Sequence, residues 1–231
     1  MKRSLFACGL LLLRGVVGAE ETWPDALSQM PLGPADGVLN HTNCAPLLLG
    51  RFQSNATVKA LILMPGATDE LCFFRRVQIT LTNAQPSLFD AVVALTNQSP
   101  LRVTFQPPFL LLYSEEDVLS LAITIQHART AEKLKTGKPI PHLLALDRDW
   151  DQLLTLIRKP IGTTLWPYRG LPDSWHFYRH TFAAWNLTPW ETLEAVARAG
   201  KTQFSVQWEK VVFEVDPRIG AVPQLEKFPG R

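Results

Sequence analysis

Two stretches of this chain, about 103 residues apart, follow one pattern, and a chain that repeats itself is expected to fold its copies alike. The first runs from Leu63 to Leu112 and the second from Leu165 to Val215. Leu63-Met64-Pro65 aligns with Leu165-Trp166-Pro167, and Phe74, Arg76, Asn83 and Pro86 align with Phe177, Arg179, Asn186 and Pro189. Ala91-Val92 then meets Ala195-Val196, and the alternation Leu101, Val103, Phe105 meets Phe204, Val206, Trp208. The identities fall at prolines and apolar positions, where backbone geometry is strict.

Each stretch reads as strand, helix, strand, strand. In the first, Val77, Ile79 and Leu81 alternate as in a half-buried strand from Phe73 to Asn83. Ser87 to Asn97 then takes a helical period, with Ser87 and Asp90 spaced as a capping box. Leu101–Phe105 and the continuously apolar Phe109–Tyr113 are two strands, the second suited to a central position. In the second, Thr188-Pro189-Trp190-Glu191 supplies an N-cap, a proline at the first helical position and a glutamate at N3. That helix points Leu193, Val196 and Ala197 inward and should end at Gly200, a natural left-handed C′ residue. Phe204, Val206 and Trp208 alternate on the next strand, which places Trp208, like Trp185, in the core. Val211–Val215 is the last strand.

Further elements are expected beside the repeats: a strand at Thr57–Met64 leading into the first, and, between the two, a helix over Glu115–Leu134 and a strand at Leu143–Leu146. A helix over Asp149–Lys159 should be ended by Pro160. The fold class is therefore α+β: two β-α-β-β half-repeats with additional helices, packed as neighbours or sharing one sheet. The organisation reads as a signal peptide over 1–19 and an irregular lead-in over 20–55, with one strand at Pro46–Arg51. A first α/β unit follows over 56–134, a linker over 135–141, a second unit over 142–216 and a tail over 217–231.

The N-terminus has the parts of an export signal. Lys2 and Arg3 precede an apolar run from Ser4 to Leu13, and Val17-Gly18-Ala19 offers small residues for cleavage after Ala19. A secreted or periplasmic location follows as the expectation, with no integral membrane segment in the mature chain. The signal holds three of the 23 basic residues and none of the 21 acidic ones, which leaves 20 against 21. That net charge of −1 makes no electrostatic case for nucleic acid or an acidic membrane surface as partner. Cys44 and Cys72 are the cysteines left after cleavage. In an exported chain the pair suggests a disulfide, contributing about 3–4 kcal/mol in the chain-entropy model. Two free buried thiols are the alternative.

Ala84-Gln85-Pro86-Ser87-Leu88-Phe89-Asp90-Ala91-Val92, continued by Leu101-Arg102-Val103-Thr104-Phe105, resembles the secretin and TonB N-terminal short domain. Leu187-Thr188-Pro189 through Gln207-Trp208 is similar to it again. Ser87 is an extra residue relative to that pattern, and Val92 and Val196 stand where the family usually has leucine. The resemblance covers about a third of the chain. It implies a bacterial envelope domain that makes protein–protein contacts. The chain has neither the barrel nor the secretin body to which that domain is normally attached, so the remaining implication is a free-standing interaction module with an open strand edge.

Catalytic and cofactor patterns are not found: there is no phosphate-binding glycine loop, no nucleophile elbow and no cysteine–histidine nucleophile signature. His176 and His180, on one strand, would stand about 13 Å apart, too far to share a metal ion. Asp147-Arg148-Asp149-Trp150-Asp151 opens like a calcium loop but has Gln152 where glycine is needed and Arg158 where a carboxylate is needed. It reads instead as a helix start. No catalytic, cofactor or metal residue is therefore nominated.

The binding candidates are Trp166, Tyr168 and Trp175, aromatic residues in a Pro- and Gly-rich stretch, together with the equivalent arginines Arg76 and Arg179. Exposed indole and phenol rings suit sugar rings or a partner's apolar anchor. Packing between the two halves is the alternative for the aromatic trio. For the arginines the choice is an anion contact or a side chain lying over apolar neighbours. The leading expectation is an exported protein-interaction module whose partner is another envelope protein. A carbohydrate or cell-wall binder using the second half's aromatics comes second, and an unrecognised hydrolase third.

Overall fold

The computed structural model of the chain describes residues 23–32, 38–40, 57–64, 78–99, 101–113, 120–166 and 180–215. In chain order the first elements are α1 (Trp23–Ser28), β1 (Val38–Asn40), β2 (Ala60–Leu63), β3 (Gln78–Thr80) and α2 (Leu88–Gln98). Next come β4 (Arg102–Gln106), β5 (Phe109–Tyr113), β6 (Ile123–Ile125), α3 (Ala128–Lys135) and β7 (Ile140–Arg148). The remainder are α4 (Trp150–Ile161), β8 (Thr164–Trp166), β9 (His180–Leu187), α5 (Pro189–Ala199), β10 (Thr202–Gln207) and β11 (Lys210–Val215). The fold is α+β, with mixed sheets.

A five-stranded sheet in the order β4-β5-β2-β9-β7 organises the molecule. Its centre is β2, all four of whose residues are buried, parallel to β5 on one side and antiparallel to β9 on the other. Both faces of the sheet are covered, which is why β2 and β5 are apolar without alternation. On one face Ile62, Phe109, Leu111, Phe182 and Ala184 pack into a core with α3, α4 and α5. Those helices carry on their far side a four-stranded sheet, β6-β10-β11-β8, which contributes Leu165, Phe204, Val206, Val211 and Phe213 to the same core. On the other face Leu61, Leu63, Leu110 and Leu112 pack with α1 and α2. A two-stranded ladder, β1 with β3, lies beside α2.

The two stretches singled out in the sequence run as β3-α2-β4-β5 and β9-α5-β10-β11, each around a helix of 11 residues. Their order is the same but their pairing is not. The hairpin β4–β5 joins the five-stranded sheet while β3 pairs with β1. In the second stretch β9 joins that sheet, and the hairpin β10–β11 belongs to the four-stranded one. The central sheet thus takes strands from both sides of residues 135–141.

Several expectations are corrected. The helix expected over Glu115–Leu134 is β6 followed by α3, because Ile123-Thr124-Ile125 is a short β-branched run that pairs in parallel with Phe204–Val206. His127 caps α3, its Nδ1 accepting from the Thr130 backbone N–H at 3.2 Å. The 135–141 segment is packed: Ile140 is buried, and a side chain on Gly137 would reach Pro189 Cγ at 2.8 Å. The lead-in holds α1 and β1, while Pro46–Arg51 lies outside the described residues. α4 runs through Pro160 and stops at Gly162, whose φ of 66° is left-handed. Gly200 has φ −94°, so left-handedness does not require it; a Cβ there would run into the Trp150 ring. The left-handed residue at that corner is Lys201, φ 48°.

Candidate functional site

Four elements meet at one end of the four-stranded sheet. β6 leads directly into α3, and the Gln126 and His127 backbone N–H groups donate to the Val206 carbonyl at the end of β10. At the same end β10 turns into β11 through Trp208 and Glu209, a two-residue turn in which Glu209 has φ 54°. α4 finishes at Gly162 and feeds β8, whose Thr164 is opposite Lys210. Helix α3, the last turn of α4, the start of β8 and the hairpin turn therefore surround a cleft of about 1200 Å3.

Among the described residues the cleft's walls are cationic and its rim aromatic. Arg129 and Lys133 come from α3, one turn apart, and Arg158 and Lys159 from the last turn of α4. Glu209 is the one carboxylate among the described lining residues. None of the four cations makes an ion pair among the described residues, where Lys59 with Glu191, at 3.1 Å, is the pair formed. Trp166 is 47% exposed and Trp208 70%. Lys210 Nζ lies 5.3 Å over the Trp166 ring, and the His127 ring is tilted against Trp208 at 4.8 Å between centroids. In β8, Leu165 faces the core while Thr164 and Trp166 face outward, as period-two geometry requires.

Trp166 is thus the sequence-nominated candidate that the described residues place at a cleft, on a strand rather than in an irregular stretch. Tyr168, Trp175, Arg76 and Arg179 lie outside the described residues, as do Cys44, Cys72, His176 and residues 1–19. Trp208 was expected in the core and is instead the most exposed large apolar side chain described. The alternation Phe204, Val206, Trp208 is real for two members, both buried, but the strand ends at Gln207 and the third member falls in the turn. Trp185 is partly buried against the second core, as its strand position suggested.

The remaining candidates resolve as structural. His180 is buried in β9, its Nδ1 3.0 Å from the Ala199 carbonyl oxygen. Asp149 caps α4, accepting from the Gln152 backbone N–H at 2.8 Å, which is the helix-start role expected for it. Among the described residues no group of three or more His, Cys, Asp or Glu could hold a metal ion, and no helix is long and apolar enough to cross a membrane.

The cationic wall was missed in the sequence because its members come from separate elements. Whole-chain charge averages them away. Arg129 stands in the first turn of α3, where a cation opposes the macrodipole, but that position follows from the β6–α3 boundary, which the sequence does not mark. No protein-family model, curated protein or solved structure matches the chain.

Proposed function

We propose that this is an exported carbohydrate-binding protein whose ligand lies in the cleft between α3, α4, β8 and the β10–β11 turn. The observation that carries the reading is the exposure of two indoles, Trp166 and Trp208, at one cleft. Isolated exposed apolar residues are ordinary, but two tryptophans on the rim of a polar cavity are not explained by packing. An indole offers a flat apolar face with an N–H at its edge, matching a sugar ring's apolar face and hydroxyl rim. Lys210 covers one side of Trp166 and holds it in place.

The test is binding of the chain from Glu20 onward to an array of immobilised oligosaccharides. Retention of one class is expected, weakened about tenfold or more by Trp166→Ala and by Trp208→Ala. Retention indifferent to both substitutions, or no retention at all, would count against the reading.

A second reading, an interaction module for another envelope protein, is favoured by a different observation. β6 lies at an edge of its sheet among the described residues, and Ile125 on it is 47% exposed. An open edge with an apolar anchor is the geometry of strand addition. A photo-crosslinking residue at position 125 that captured one protein in situ, and lost it on Ile123→Pro, which removes an N–H on the outer side of β6, would support it.

A further inference from the structure

We infer that the ligand of this cleft is an acidic oligosaccharide, bearing carboxylate or sulfate groups on successive rings; this rests on the carbohydrate-binding reading above. Arg129 and Lys133 face the cavity from α3, and Arg158 and Lys159 from α4. Lys210 adds a fifth positive charge over Trp166. Against them among the described residues stands Glu209.

Local helix energetics explain part of this set. Lys133, Arg158 and Lys159 sit in last helical turns, where cations favour the exposed carbonyls. Arg129 does not fit that explanation. It is the second residue of α3, next to the His127 cap, where the helix end is already positive. With Lys133 a turn further on and no carboxylate paired to either among the described residues, its position costs repulsion that a bound anion would relieve. Two walls of cations set on different elements call for an anion with charges at more than one point, and the two indoles call for rings between them. A ligand alternating flat rings with acidic groups meets both demands at once.

The experiment is calorimetric titration of the purified chain with four probes. These are a uronic-acid tetrasaccharide, the same tetrasaccharide with its carboxyls reduced to alcohols, a sulfated tetrasaccharide, and a ten-nucleotide single-stranded DNA. The expected result is binding of at least one acidic oligosaccharide about tenfold or more tighter than the reduced one, with affinity falling as salt rises. Arg129→Gln and Arg158→Gln should each weaken the acidic probe about three- to tenfold and flatten the salt dependence, and weaken the reduced probe less than the acidic one. Trp166→Ala and Trp208→Ala should weaken acidic and neutral probes alike. Both arginines are exposed, so circular dichroism of the variants should match the parent.

Equal affinity for acidic and reduced forms would overturn the inference and leave the carbohydrate reading standing. DNA bound as tightly as the acidic oligosaccharides would overturn it in favour of a general polyanion cleft. No binding of any oligosaccharide would remove both.

Discussion

Glu194 sits on α5 with its carboxylate largely withdrawn from water, and that desolvation raises its proton affinity above the ordinary glutamate range. The Trp190 indole N–H donates to it and the Arg198 charge attracts it, both in the opposite direction, while Glu191 repels it and Lys135 attracts it weakly. The folded chain therefore holds this proton more tightly than the unfolded chain. Its contribution to stability is fully present below the usual glutamate range and is lost as pH rises through the raised value. Glu194→Gln keeps an acceptor oxygen for Trp190 and removes the titration. Urea-unfolding free energies measured from pH 4 to pH 7 should decline less with rising pH in the variant than in the parent. Parallel curves would assign the effect to another group. Gly200 poses a steric question of the same scale. Its conformation suits any residue, yet the Trp150 ring occupies the space of a side chain, so Gly200→Ala should destabilise by about 1–3 kcal/mol through overpacking. A thermal midpoint unchanged by that substitution would show that Trp150 can move aside.

The helices α2 and α5 start in the same way, and their starts were legible because capping is local. Ser87 accepts from the Asp90 backbone N–H and Asp90 accepts back from Ser87; Thr188 and Glu191 repeat the exchange at 3.1 Å and 2.8 Å. Thr188→Ala should cost about 1 kcal/mol, read as a lowered melting temperature, whereas Thr188→Ser should cost little. A Thr188→Ala variant melting with the parent would mean that Pro189 and the tertiary packing of α5 set its start. At α2 the Ser87 backbone N–H, donated to Asp90, holds that carboxyl below the usual aspartate range. The cap's ionic part is thus present above that range and lost as pH falls through the lowered value. Other elements were not legible, for a shared reason. β6 is a strand because β10, far along the chain, offers it a parallel partner, and nothing within Glu115–Leu134 announces that. The β10–β11 turn uses Trp208-Glu209, with a non-glycine residue at positive φ, so no Asn-Gly or Asp-Gly marked where the alternation stops. That one misplaced boundary hid Trp208, half of the cleft's aromatic rim. The cations stayed hidden because a cleft is made by convergence of α3 and α4, which local pattern does not encode.

At the scale of the molecule, two cores lie on opposite faces of one sheet, and adjacent residues of β2 feed them separately. Ile62 points into the core with α3, α4, α5 and the four-stranded sheet; Leu61 points into the core with α1 and α2. Both are fully buried. If the two sequence halves were independent bodies, a cavity in one core would loosen one half alone. The pairing argues otherwise, since β2 from the first half is hydrogen-bonded to β5 on one side and to β9 from the second half on the other. Loss of either core strips a covering layer from the same strands, which cannot remain as a bare apolar sheet in water. Leu61→Ala and Ile62→Ala should therefore each cost about 2–5 kcal/mol, and each should shift the whole unfolding transition. Tryptophan fluorescence and far-UV circular dichroism should give coincident denaturation curves in the parent and in both variants. A Leu61→Ala variant in which the fluorescence curve stayed with the parent while the circular dichroism curve moved would break the coupling. It would show that the core with α3, α4 and α5 holds its fold without the core with α1 and α2.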